Sequence, residues 1–251
     1  MRVAIHQPNF LPRLKVLQKI AAADLWVVLD SVQYNEREWQ NRARIVPIDG
    51  KSLPYWLSVP VHRPRGQGTL INEVGIVSRT NTTRLIDRSL AHAFKTSPFS
   101  SFLPILASAV DASIESESLS ALCVETTSVL LSAAGVHVPI VYASSLPVSG
   151  KASVLMARLC QYVNATEYLA DSGARNYLSE RDFSSATVLW QDWQEPPMHW
   201  PGIESWRDIS AVNFLFRQGA EELNCHLTNG RFTPSQSNSE NSPTLHSAST
   251  K

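Results

Sequence analysis

Residues 2–30 read RVAIHQPNFLPRLKVLQKIAAADLWVVLD. Arg2 to Ile5 form a short β-rich run, which stops at the polar segment His6-Gln7-Pro8-Asn9. Leu11 to Ala23 follows with helical spacing at Leu14, Leu17, Ile20 and Ala21. Leu25 to Leu29 is then apolar without a break and ends at Asp30. Strand, loop, helix and uninterrupted apolar strand together make a βαβ unit. A strand that is apolar at every position belongs in a parallel sheet covered on both sides. The fold class that follows is α/β: a Rossmann-like parallel sheet with helices on both faces, plus a helical layer and a small β insertion.

Further along, the pattern first departs from this scheme and then returns to it. Residues 31–65 are polar and basic, and WLSVPV at 56–61 and Leu70 to Val77 are strand candidates. This gives a basic, β-containing insertion at about 34–80. Thr82 to Phe94 and Phe102 to Ala134 read as helices, the second broken near 113–119, giving a helical layer at about 82–134. Residues 102–134 contain no Lys or Arg and four acids: Asp111, Glu115, Glu117 and Glu125. Strands are expected again at 138–143, 167–170 and 186–190, the last at a sheet edge. Helices are expected at 151–162 and 210–218, the second closed by Gly219. Residues 1–232 read as a single domain, and the Ser-rich stretch 233–251 reads as a disordered tail.

Composition narrows the functional classes. The 251 residues are 43% hydrophobic and 18% charged, with 22 basic and 22 acidic side chains. A balanced chain lacks the positive excess that bulk nucleic-acid or membrane-surface binding uses. No apolar window is long enough to span a bilayer, and the polar start does not read as a signal peptide. The three cysteines, at 123, 160 and 225, form no CxxC or Cys/His metal pattern, which points to reduced thiols in the cytoplasm and to no metal. Gly-x-Ser-x-Gly, Gly-x-Gly-x-x-Gly and Asp-x-Asp are also missing.

In open parallel sheets, ligands bind beyond the carboxyl ends of the strands. Here those ends carry His6-Gln7, Asp30, Ser144-Ser145 and Asp171-Ser172-Gly173. His6, Gln7 and Asp30 are the candidate catalytic residues, with His6 as the general base. Candidate binding residues are Asn9, Gln33, Arg37, Gln40, Asn41, Arg42, Ser144, Ser145, Lys151, Asp171, Ser172 and Arg175. Arg37 and Arg42 can each grip a carboxylate or phosphate with two parallel bonds. Gly150-Lys151 at a helix N-terminus is a candidate anion site, but it lacks the earlier glycine of a true phosphate loop. Each of these residues also has a structural alternative, as a turn, a cap or an exposed polar surface.

Over about residues 1–220 the chain resembles the WbqC-like proteins. The resemblance rests on His6-Gln7-Pro8-Asn9-Phe10-Leu11-Pro12, Asp30, Val32-Gln33, Arg37, Gln40-Asn41-Arg42, Leu57-x-Val59-Pro60-Val61 and Ile71-Asn72-Glu73. It continues through Ser144-Ser145, Gly150-Lys151, Tyr168-Leu169, Ser172-Gly173 and Ile209-Ser210 to Gly219. The resemblance implies a bacterial cytoplasmic protein associated with surface-polysaccharide, O-antigen or natural-product biosynthesis. Four positions depart from the family pattern: Arg13, Lys15, Ala152 and Asn213. Arg13 and Lys15 add positive charge beside His6, so a more anionic substrate is expected.

Three functions stay open. The first is acyl or aminoacyl transfer to an amine, for instance on an amino sugar. His6 would act as base, and Gln7, Gln40 or Asn41 would stabilise the oxyanion. No cofactor is firmly implied. A coenzyme A or phosphopantetheine thioester, the latter on a carrier protein, or a nucleotide is the candidate donor. The second function is a nucleotide-dependent enzyme of the nucleotidyltransferase type. The third is a non-catalytic scaffold of a polysaccharide assembly.

Overall fold

The structure is a computed structural model and describes residues 1–198 and 205–235. Five parallel strands form the sheet: β1 (Arg2–His6), β2 (Leu25–Val28), β7 (Ile140–Tyr142), β8 (Glu167–Ala170) and β9 (Thr187–Asp192). A sixth strand, β10 (Arg231–Pro234), lies antiparallel against β9. The spatial order is β10-β9-β8-β1-β2-β7. The chain builds outward from β1 through β2 to β7, then crosses back to β8 on the other side of β1. The direction of winding therefore reverses between β1 and β8.

Side-chain alternation along the strands splits the core into two layers. Trp26 and Val28 point to one face and pack with α1 (Leu14–Ala21), α4 (Leu119–Ala133) and α6 (Ala211–Thr228). Val3, Ile5, Val27 and Leu29 point to the other face and pack with Leu155, Met156 and Leu159 of α5 (Ala152–Tyr162). The first face also holds Ile45, Leu57 and Val59 of the insertion, so the insertion and the helical layer share one apolar core with the sheet.

The insertion holds two small antiparallel pairs. One joins β3 (Arg42–Ile45) to β4 (Tyr55–Ser58), and the other joins β5 (Val61–His62) to β6 (Gly75–Ile76). The strand expected at 70–77 is shorter than expected, because Ile71–Glu73 is a 3₁₀ turn. The Glu73 carboxylate accepts the Leu70 N–H at 2.9 Å and pairs with Arg65. This local hydrogen bond competes with strand pairing.

The helical layer comprises α2 (Arg79–Phe94), α3 (Phe102–Ile114) and α4, and the break between α3 and α4 falls where it is expected. Ser118 caps α4 by accepting the Ala121 N–H.

Two expectations at the far side of the sheet need correction. β9 is not the edge strand, because β10 covers it. Thr233 and Pro234, assigned above to the tail, belong to β10. Phe232 provides the reason, packing on Ala4, Leu169 and Leu189 and anchoring the segment to the sheet. The rest of the expected tail, 236–251, lies outside the described residues. Gly219 does end a first helical segment, at φ +86°, but helix resumes beyond it to Thr228.

Candidate functional site

The reversal of winding opens a cleft of about 540 Å³ beyond the ends of β1 and β8. His6 and Gln7 enter it from β1, and Asp171 and Gly173 from the turn after β8. Lys19 enters from α1, Tyr168 from β8, Met156 from α5 and Glu38 from the insertion.

Three of these groups form one polar chain. Lys19 Nζ donates to Asp171 Oδ2 at 2.7 Å and stands 2.9 Å from His6 Nδ1. His6 Nδ1 lies 3.8 Å from the same carboxylate oxygen. The Lys19 side chain is only 2% exposed. A buried ammonium is costly unless it is paired, and here it has two partners.

The electrostatics follow from this packing. The Lys19 ammonium is the main cause that holds the Asp171 carboxyl far below the usual carboxylate range. Burial, reinforced by the Lys19 charge, lowers the His6 imidazole to about 3, and the Asp171 charge offsets only part of this. His6 is therefore neutral at physiological pH. An ammonium is a donor only, so Nδ1 accepts and the ring proton sits on Nε2. Asn9, close to the ring, also opposes part of the lowering at His6. Burial raises the Tyr168 phenol well above its ordinary range, which keeps it a neutral donor.

The structure gathers some of the expected residues and disperses others. His6, Gln7 and Asp171 line the cleft, and Asn9 is buried beside His6. Gln40 stands behind Gln7, donating to its Oε1 at 2.8 Å while accepting the Asn35 N–H. Ser172 accepts from Lys15 Nζ at 2.7 Å and lines a neighbouring cavity.

Asp30 does not line the cleft. Its carboxylate accepts the Ser144 N–H at 2.9 Å and the Ser144 hydroxyl at 2.7 Å, tying the end of β2 to the end of β7. Ser145 donates to the Tyr142 carbonyl. Gln33 donates to the Gln67 carbonyl, and Asn41 to the Val59 carbonyl. Arg42 stacks 4.2 Å over the Trp56 ring and donates to the Arg37 carbonyl. Arg37 itself is exposed with φ +66°. Arg175 lies 4.2 Å over the Trp190 ring. Lys151 is exposed at the start of α5 and does not line the cleft.

Lys19 is the main residue that the sequence reading missed. Its signal was there: Gln18-Lys19 sits in a helix flanked by apolar runs, where a charged side chain must find a partner. No group of three or more His, Cys, Asp or Glu among the described residues could hold a metal ion.

The profile of the WbqC-like protein family matches residues 7–225, which includes every cleft residue except Ile5 and His6. The chain belongs to the WbqC-like protein family. A similar protein is "Uncharacterized protein Rv1507c" from Mycobacterium tuberculosis (strain ATCC 25618 / H37Rv). It is 27% identical over 225 residues, covering 88% of this WbqC-like chain and 95% of that protein. No solved structure matches the chain. No helix among the described residues of this WbqC-like protein is long and apolar enough to cross a membrane.

Proposed function

We propose that this WbqC-like protein is a group-transfer enzyme whose donor substrate carries phosphate, and that the β1/β8 cleft is its active site. The observation that carries the reading is the 2.9 Å approach of Lys19 Nζ to His6 Nδ1. A neutral imidazole with its proton on Nε2 is a hydrogen-bond donor, suited to an oxygen on which negative charge develops. A general base works best with a pKa near the working pH, and His6 lies far below that. We therefore assign His6 the role of a donor to the reacting group, in place of a base. Lys19 is a positioning residue that fixes the imidazole tautomer, and Asp171 fixes Lys19. Gln7, held by Gln40, is a second polar contact for the substrate.

This arrangement suits transfer from a phosphate-bearing donor, where placement and charge stabilisation do most of the work. The sheet supports a nucleotide as that donor. In support, the parallel strands run β7-β2-β1-β8-β9, and the cleft lies where the winding reverses between β1 and β8. An acyl or aminoacyl transfer at the same cleft would need an acceptor amine that is deprotonated by a group other than His6.

The test is ligand-induced stabilisation of the full chain by nucleotides, nucleotide sugars, coenzyme A thioesters and phosphopantetheinylated carrier protein. A ligand at about 100 times its Kd adds about 2.7 kcal/mol. A shift with a nucleotide or nucleotide sugar that weakens in His6→Ala is the expected result. A shift only with thioesters would replace the nucleotide with an acyl donor. Silence across the panel in both proteins would overturn the transferase reading in favour of a scaffold.

A further inference from the structure

Across the 171–173 turn from the cleft lies a second cavity, of about 420 Å³. Three cations line it from two separate segments: Arg13 and Lys15 at the start of α1, and Arg207 in the turn before α6. Among the described residues, Asp208 is the one carboxylate that lines it, so cations outnumber acids on its walls. Ser172, hydrogen-bonded to Lys15, lines this cavity, while its chain neighbours Asp171 and Gly173 line the cleft.

The same cavity has unmet hydrogen-bonding capacity. Gln191 lines it and is only 8% exposed. Its amide nitrogen donates to the Lys15 carbonyl and to Gln18 Oε1, both at 3.0 Å, which fixes the orientation of the amide. Among the described residues, its Oε1 has no hydrogen-bond partner. Trp193 Nε1 and Arg13 Nε, also on lining residues, have none either. Three such atoms on residues lining one cavity give a polar ligand hydrogen-bonding positions to fill.

We propose that this cavity is a binding subsite for a phosphate ester that carries free hydroxyl groups, such as a sugar phosphate or the ribose-phosphate part of a nucleotide. The inference rests on the transferase reading, for which it supplies the anchoring end of the donor. Arg13, Lys15 and Arg207 hold the phosphate, for which guanidinium groups supply paired donors. Gln191 Oε1 and Asp208 accept from hydroxyls, and the Trp193 indole donates. The charge balance selects against a zwitterionic amino acid, whose net charge is zero. Asp171 and Gly173, on either side of Ser172, line the cleft, so the subsite lies next to it.

The experiment uses ribose 5-phosphate as the probe on the full chain, with inorganic phosphate and methyl β-D-riboside as comparators. The readouts are calorimetric affinity and the indole ¹H–¹⁵N resonance of Trp193, assigned with Trp193→Phe. Arg207 is exposed and Lys15 half-buried, so Arg207→Gln and Lys15→Met are chosen to keep the fold. The expected result is a shifted Trp193 resonance and binding about ten-fold tighter than either comparator. Each charge removal should weaken binding roughly ten-fold, because one charge-assisted hydrogen bond is lost. His6→Ala should leave the affinity within about two-fold.

Binding that survives both charge removals but is lost in His6→Ala would place the phosphate in the cleft. That overturns this subsite and leaves the transferase reading standing. Equal affinity for inorganic phosphate would overturn the hydroxyl-reading role of Gln191 and Asp208. No binding of the probe at all would overturn the subsite outright, while the ligand panel above judges the transferase reading separately.

Discussion

Lys19 Nζ sits between His6 Nδ1, at 2.9 Å, and Asp171 Oδ2, at 2.7 Å, so one buried ammonium sets the chemistry of both neighbours. The imidazole is confined to the neutral Nε2–H tautomer, and the carboxylate is confined to its charged form. This can be measured without a substrate. Long-range ¹H–¹⁵N spectra should show His6 with Nε2 protonated and Nδ1 bare, unchanged from pH 8 to pH 5. A His6 signal that titrates near 6.5 would remove the basis for the donor role.

Removing the donor should affect turnover more than binding. Loss of one preorganised oxyanion donor costs about 10²- to 10³-fold in kcat. His6→Ala should fall by about this much once a substrate is in hand, and His6→Gln, which keeps an N–H, should fall less. Equal loss in both variants would point to a packing role instead.

Acid should destabilise the fold from an unusually high pH. The unfolded His6 takes up its proton near 6.5, but the folded form resists until about 3. Between these values the unfolded state binds more protons, so stability drops as pH falls, by up to about 1.4 kcal/mol per unit. Asp171, depressed in the fold, adds a further loss below the ordinary carboxylate range. Urea midpoints measured from pH 7.5 to 4 should show this slope, and His6→Gln should flatten it between 6.5 and 4.

Lys19→Met should be one of the most damaging single changes, at about 3–5 kcal/mol, because it leaves Asp171 as an unpaired, largely buried charge. The double variant Lys19→Met with Asp171→Leu should recover much of that loss. A double variant no better than the single one, measured by denaturant unfolding, would show that the pair is not the source of the effect.

Asp30 should act on stability through Ser144. Asp30→Ala deletes acceptors for two donors and should cost about 1–3 kcal/mol. Ser144→Ala removes only one of these bonds and should cost less. Ligand affinity at the cleft should change little in Ser144→Ala, and calorimetry would decide this.

What the sequence disclosed and what it withheld have a common cause. Strand-end residues such as His6 and Asp171 were legible because polar groups after apolar runs mark where a parallel sheet stops. Lys19 showed only a need for some partner; which one it takes depends on β8 arriving beside β1 from more than 150 residues away. Asp30 looked like part of the site for the same reason as His6, yet its neighbour β7 supplies Ser144 and takes up the carboxylate. The Arg37–Arg42 segment read as a phosphate clamp, but Trp56 from the next strand holds Arg42 by stacking. β10 was missed because four residues with a single large apolar side chain, Phe232, carry little pattern of their own.

The place of β1 in the middle of the sheet has a consequence for how the molecule comes into being. β1 waits for one of its two neighbours, β8, until residues 167–170 have been synthesised. Its backbone groups facing that side stay unpaired through most of translation, and Arg2 meets Glu167 only across a sequence separation of 165. Such long-range closure makes folding slow, and the half-made chain must be kept from pairing elsewhere. The cleft lies on this late-closing seam, so a nascent chain cannot form it before β8 is made.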